Sequence, residues 1–194
     1  MTPMYAPDRA TTPEHTVRID NMEMYYEEYG VGKPLVLLHG FGGCTQNWHP
    51  FTAELSERHR LIVVDLRGHG HSTNPENRFT HREAASELPL AREVRGWSLL
   101  GYGYQLIAQF NALHANDDDM NFTEQTLSTI TARTLVVHGD RDRFFPVEIP
   151  VNLYRSIPDA ALWIIPGGDH VPISDPTVPF VSTALRFLDG PSSK

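Results

Sequence analysis

Short, continuous runs of apolar residues recur along the chain and predict the strands of a mostly parallel sheet. They are PLVLL at 34–38, LIVV at 61–64, TLVV at 134–137 and ALWII at 161–165. Unbroken apolar runs of this length are typical of strands that are buried on both faces. Ahead of them, residues 15–29 mix alternating and apolar positions, which predicts two antiparallel strands.

Segments with helical spacing separate these runs. Residues 47–58 place Trp48, Phe51 and Leu55 on one helical face. Further helices are predicted at 123–131, 148–157 and 178–188. A strand, a helix and a strand in succession form a βαβ unit, so the sheet is expected to be parallel there. The predicted fold class is α/β, with flanking helices on a mostly parallel sheet that is shortened in the middle.

Residues 72–132 interrupt this order. The part from 72 to 121 contains no β-branched apolar run; 79–93 is compatible with a helix and 105–113 is amphipathic. The polar N-terminus, rich in Pro and Thr, predicts a flexible arm at 1–15 without the apolar core of a signal peptide. The remainder, 16–194, is expected to form a single domain.

Composition narrows the classes of function. The chain of 194 residues is 40% hydrophobic with a formal charge of −8, which argues against binding to nucleic acid or to an anionic membrane. No apolar run approaches the roughly 20 residues of a membrane span. The single cysteine, Cys44, excludes an internal disulfide and indicates a reducing compartment, so a cytoplasmic location is predicted. The ten histidines are dispersed and no metal or dinucleotide motif occurs, so no metal and no cofactor are expected.

Glycine-rich or polar loops follow the first two apolar runs. His39–Gly43 (HGFGG) could aim backbone N–H groups at a developing oxyanion or could be a plain turn, and the pattern favours neither. In the loop DLRGHGHS at 65–72, His69 and His71 have the residue type of a catalytic base. We expect a buried structural loop there instead.

Two more loops follow the third and fourth runs. HGDRDR at 138–143 contains Asp142, and GGDH at 167–170 ends in His170. A carboxylate at a strand end can orient a histidine, and a histidine in a glycine-rich loop is well placed as a general base. The separation of 28 positions between them leaves room for a helix and a strand, so both loops are expected at the same sheet edge.

With these four motifs in this order, the chain resembles the α/β-hydrolase family, in particular its small esterase and haloperoxidase-like branch. The resemblance covers about 16–83 and 119–189. It implies that Asp142 is the acid and His170 the base of a catalytic triad, in the family's order of nucleophile, acid and histidine. It also implies an oxyanion hole in the HGFGG loop, at the N–H of Phe41, and a substrate-binding role for Gly40.

The nucleophile departs from the family pattern, Gly-x-Ser-x-Gly. The similar stretch is GWSLLG at 96–101, where Gly96 and Ser98 fit but Leu100 replaces the second glycine. By resemblance Ser98 is the nucleophile, Leu99 supplies the second oxyanion N–H and Trp97 lines the substrate site. The alternative is that Ser98 lies in a lid or linker and that the nucleophile strand has been deleted. Cys44 and Ser72 are weaker substitutes for the nucleophile.

The predicted function is a serine hydrolase that acts on small carboxylic esters through a triad of Ser98, Asp142 and His170. The alternative is an inactive, shortened α/β-hydrolase that serves as a binding or scaffold protein, and a cofactor-free oxidoreductase or lyase on the same fold stays open. A missing central strand would leave bare sheet edges. We therefore expect either a homodimer formed through those edges or strands that pair anew.

Overall fold

The computed structural model describes residues 14–40, 42–77, 79–80, 84 and 123–190. Its first sheet has the order β1-β2-β4-β3. The strands are β1 (Glu14–Ile19), β2 (Met22–Tyr29), β3 (Lys33–Leu38) and β4 (His59–Val64). β2 pairs antiparallel with β1 and β4, while β3 and β4 are parallel. The antiparallel pair and the parallel βαβ unit that the sequence predicts are confirmed, although Glu14 and His15 belong to β1 and not to the predicted arm.

The helix between β3 and β4 begins later than predicted. A 3₁₀ turn at Thr45–Asn47 precedes helix α1, which spans His49–Ser56. Pro50 lies in the first turn of α1, where a missing backbone N–H costs the helix nothing. The predicted start at Asn47 is therefore wrong because the proline sets the first helical turn.

A second sheet contains β5 (Thr134–Gly139) and β6 (Ala160–Ile165), which are parallel. Three helices accompany it: α2 (Glu124–Leu127), α3 (Glu148–Ser156) and α4 (Phe180–Asp189). Both strands were expected to be buried, but each is half-buried except for its last residue. Among the described strands, β5 and β6 each have a neighbour on one side only.

One apolar cluster joins the two halves of the described chain. Ten buried residues form it: Leu35, Leu37, Trp48, Leu55, Leu61, Val63, Phe180, Val181, Ala184 and Leu185. Trp163 of β6 packs against the same cluster. On the other face of the first sheet, a second cluster contains Met22, Met24, Val36, Ile62 and Val64. Because both faces of β3 and β4 are covered, their apolar runs are continuous.

Candidate active site

Two glycines allow the loops that follow β5 and β6 to touch. A Cβ atom added to Gly139 would lie 2.3 Å from the carbonyl oxygen of Gly168 and 2.4 Å from that of Asp169. A Cβ atom added to Gly168 would lie 3.1 Å from the Cα atom of Gly139. Backbone cannot yield as a flexible side chain can, so this approach requires glycine at Gly139.

Hydrogen bonds then hold the two loops together. Asp140 donates its N–H to the Ile165 carbonyl at 3.2 Å, and Arg141 donates to the Gly168 carbonyl at 2.8 Å. The Oδ1 atom of Asp140 accepts from the Gly167 N–H at 2.6 Å. Of the two aspartates in the loop, Asp140 therefore bonds to the backbone of the neighbouring loop.

The other aspartate, Asp142, contacts the imidazole of His170. The Nδ1 atom of His170 lies 2.9 Å from Oδ2 of Asp142, and their side chains are 11% and 2% exposed. Oδ1 of Asp142 accepts from the N–H groups of Phe144 at 2.8 Å and Phe145 at 3.1 Å. Because the carboxylate can only accept, the Nδ1 atom carries the proton. In the neutral ring Nε2 is then the acceptor, as a general base requires.

Several hydrogen bonds stabilise the charged form of Asp142. Burial alone would raise the pKa of this carboxyl. The bonds from His170 and from the N–H groups of Phe144 and Phe145 outweigh burial and hold the pKa below its usual value. The carboxylate is thus ionised near neutral pH and can stabilise a positive charge on His170.

Two aromatic rings flank this imidazole. The ring of Phe144 meets it edge-on with centroids 5.1 Å apart, and the ring of Phe145 lies 5.6 Å away. Phe144 is 57% exposed. The neighbourhood of His170 is therefore apolar on these two sides.

The glycine-rich loop after β3 is fixed by His39, which is buried. Its Nε2 atom accepts from the Leu66 N–H at 3.0 Å, and Nδ1 donates to the Gly40 carbonyl. The Gly43 N–H donates to the same carbonyl at 3.1 Å. Burial lowers the pKa of His39, so the ring is neutral and structural. Gly40 lies in this loop, whereas Phe41 lies outside the described residues.

The loop after β4 is bonded to this region through a buried carboxylate. The fully buried Asp65 accepts from the N–H groups of Thr45 at 2.7 Å and His71 at 2.8 Å. A Cβ atom added to Gly70 would lie 1.9 Å from Oδ2 of Asp65, so glycine is needed there too. His69 is buried, with Nδ1 at 2.9 Å from the Arg67 carbonyl, and burial lowers its pKa. The prediction of a buried structural loop agrees with the contacts of Asp65 and His69, whereas the side chain of His71 is 67% exposed.

The whole predicted nucleophile region, residues 96–101 with Trp97, Ser98 and Leu99, lies outside the described residues. Of the two substitutes, Ser72 donates its hydroxyl to the Asp65 carbonyl at 2.6 Å and accepts from the Tyr25 N–H at 2.9 Å. Ser72 is therefore bonded within the β4 loop. Cys44 is a half-buried free thiol.

One residue of the site was missed by sequence reasoning. Nε2 of His138 lies 3.1 Å from the Phe145 carbonyl and 3.9 Å from Oδ2 of Asp142. Its position directly before Gly139, in the same motif as Asp142, was the available signal. Within the described ranges, no group of three or more potential metal ligands is found and no helix is long and apolar enough to span a membrane.

Comparison with known proteins agrees with this architecture. A family model described as alpha/beta hydrolase fold matches residues 33–108. A crystallised membrane phospholipase A has a TM-score of 0.76 at 22% identity, over 92% of this chain and 86% of that one. A serine hydrolase involved in carbazole degradation has a TM-score of 0.71 at 19% identity, over 92% of this chain and 99% of its own.

In sequence, the chain is similar to part of a pimeloyl-[acyl-carrier protein] methyl ester esterase from Legionella pneumophila (strain Corby). The identity is 34% over 80 residues, which is 41% of this chain and 34% of the relative. The chain thus spans about a third of the length of this relative. The family model and the solved structures lead to one conclusion: the chain has the α/β-hydrolase fold, and part of its sequence is similar to an esterase.

Proposed function

We propose that the chain is a serine hydrolase that cleaves small carboxylic esters. The main support for this proposal is the hydrogen bond of 2.9 Å between Nδ1 of His170 and Oδ2 of Asp142. The two residues lie in loops at the carboxyl ends of parallel strands. Ligands bind at such strand ends in open α/β sheets. The sequence similarity to a methyl ester esterase supports an ester substrate.

In the proposed reaction, the hydroxyl of Ser98 attacks the ester carbonyl while Nε2 of His170 takes its proton. Asp142 stabilises the imidazolium, and the N–H groups of Phe41 and Leu99 hold the oxyanion. The tetrahedral intermediate expels the alcohol, which receives the proton from His170. Water, activated by the same imidazole, then releases the acid. Gly40 and Trp97 are proposed to contact the substrate, and the reaction needs no metal or cofactor.

The test is the hydrolysis of a short-chain p-nitrophenyl ester by the native chain and by Ser98→Ala and His170→Ala. We expect each variant to lose activity by at least about a thousandfold, because the triad works as a unit. Equal rates in all three proteins would remove the assignment. If only His170→Ala loses activity, Ser98 is not the nucleophile, and the activity of Cys44→Ala would then be measured.

The second candidate is an inactive chain that binds other molecules. It is favoured by the departure of residues 96–101 from the family's Gly-x-Ser-x-Gly pattern, in which Leu100 replaces the second glycine. A fluorophosphonate probe forms a covalent bond only with an activated nucleophile. Labelling of Ser98, mapped by mass spectrometry and absent in His170→Ala, would exclude this candidate.

Two further properties are proposed on separate grounds. The single cysteine favours a reducing compartment such as the cytoplasm. The outer edges of β3 and β5, which have no neighbouring strand among the described residues, favour a homodimer.

A further inference from the structure

His138 occupies a position that the proposed reaction does not use. It is the residue of β5 directly before Gly139 and pairs in register with Ile164 of β6. Its side chain is 13% exposed. The ring therefore projects from a strand, which is a more rigid support than the loop that carries Asp142.

The hydrogen bond to Phe145 defines the tautomer of His138. Nε2 lies 3.1 Å from a carbonyl oxygen, which can only accept, so Nε2 carries a proton. The same N–H group lies 3.9 Å from Oδ2 of Asp142. Nε2 of His138 is thus too far from Oδ2 for a hydrogen bond, and Nδ1 of His170, which is 1 Å closer, remains the partner of the carboxylate.

The main chain of Phe145 is consequently held at both of its polar groups. Its N–H donates to Oδ1 of Asp142 at 3.1 Å, and its carbonyl accepts from His138 at 3.1 Å. The first bond fixes the carboxylate of Asp142, and the second ties the turn to β5. The ring of Phe145 also lies beside the His170 imidazole. Movement of this residue would thus disturb Asp142 and His170 together.

We propose that His138 is a positioning residue, which anchors the Phe145 carbonyl to β5 and thereby keeps Oδ2 of Asp142 aligned with Nδ1 of His170. The assignment of a kinetic effect rests on the proposed hydrolase function. The contact geometry predicts an effect on the Asp142–His170 hydrogen bond whether or not the chain hydrolyses esters.

Two substitutions separate hydrogen bonding from packing. The amide of His138→Gln can place a donor close to the position of Nε2, whereas His138→Leu fills similar space without a donor. In the leucine variant we expect kcat to fall about tenfold with KM within about twofold, because misplaced groups slow the chemical step. The glutamine variant should retain activity within about threefold of native. His15→Leu, in β1 at the far edge of the first sheet, is the control for a lost imidazole.

A second measurement needs no turnover. In protein labelled with ¹⁵N-histidine, the Nδ1–H signal of His170 should persist in His138→Gln and be lost or broadened in His138→Leu. In the native protein, the ring shifts should show Nε2 of His138 protonated at about pH 7. A His138 that is unprotonated at Nε2, a leucine variant with the native His170 signal, or a glutamine variant as impaired as leucine would each overturn the proposal. If the native chain hydrolyses no ester, the hydrolase function fails while these signals still decide the role of His138.

Discussion

At the scale of single residues, two aspartates in one loop have different partners. Asp142 accepts from the His170 imidazole, whereas Asp140 accepts from the Gly167 N–H. Asparagine at Asp140 keeps an oxygen that can accept this bond. Asparagine at Asp142 must either present an N–H to His170 or lose its bonds to the loop. The same substitution therefore distinguishes the two carboxylates.

We predict that Asp142→Asn lowers kcat for ester hydrolysis by about 10³- to 10⁴-fold, because the imidazole is then held in the wrong tautomer. Asp140→Asn should stay within about tenfold of native. Both variants should show the native circular dichroism spectrum. A loss in Asp140→Asn as large as that in Asp142→Asn would contradict the assignment of the acid.

Stability at acid pH depends on another buried carboxylate, Glu27 of β2. It accepts from the hydroxyls of Tyr25 at 3.2 Å and Tyr29 at 2.7 Å and lies 2.8 Å from Nε2 of His49. Burial alone would raise the pKa of Glu27, but the bonds from Tyr29 and His49 outweigh it and hold the pKa below the usual value. A pKa that is lower in the folded state stabilises the fold above the unfolded pKa of about 4.3 and loses this effect as pH falls through the folded pKa.

We therefore predict that Glu27→Gln lowers the free energy of unfolding at neutral pH by about 1–3 kcal/mol, since an amide cannot accept all of these bonds. The difference from native should shrink as pH falls below about 4.3, where Glu27 of the unfolded chain takes up a proton first, and it should be smallest once the pH is below the lowered pKa of the folded carboxyl. Urea denaturation across this pH range measures both effects. Glu23→Gln, at an exposed position of the same strand, is the control. A difference that stays constant with pH would refute the linkage to Glu27.

At the scale of elements, the contact between the two catalytic loops depends on Gly139 at the end of β5. The neighbouring atoms that a Cβ atom would meet belong to the backbone of the loop after β6. We predict that Gly139→Ala destabilises the fold by about 1–3 kcal/mol and lowers ester hydrolysis, because the His170 loop must move away from Asp142.

The matched control for Gly139→Ala is Gly167→Asn, in the opposing loop. A Cβ atom at Gly167 meets nothing within 4 Å, and asparagine tolerates its φ of +73° better than other side chains do. Thermal unfolding and kcat/KM are measured for both variants. If the two substitutions change thermal stability and kcat/KM equally, the close contact at Gly139 does not determine the stability or the activity of the protein.

Continuous apolar runs predicted β3 to β6, the mixed pattern at 15–29 predicted β1 and β2, and motifs at the strand ends predicted the loops that carry Asp142 and His170. Other features depend on contacts between distant residues. The sequence did not reveal that His138 reaches the Phe145 carbonyl, since this depends on the turn after Asp142. The half-burial of β5 and β6 was also missed, because the apolar run alone does not tell how many strands lie beside it.

At the scale of the whole molecule, the described strands form two sheets that are joined through the core and not through hydrogen bonds between strands. β3 is one of the two end strands of the first sheet, and β5 is one of the two strands of the second. Each therefore presents a row of backbone N–H and C=O groups on its outer side, within the part of the chain that the structure describes. Such edges pair readily with another chain.

We predict that the protein forms a homodimer at micromolar concentration through β3 or β5, to be measured as twice the chain mass by light scattering after size exclusion. Backbone amides of these strands should exchange with deuterium more slowly as protein concentration rises, because the edge is paired only in the dimer. The amides of β2, which is paired on both sides in the first sheet, are the internal comparison and should not change. A monomeric mass at all concentrations, with exchange in β3 and β5 independent of concentration, would leave these edges without a partner chain.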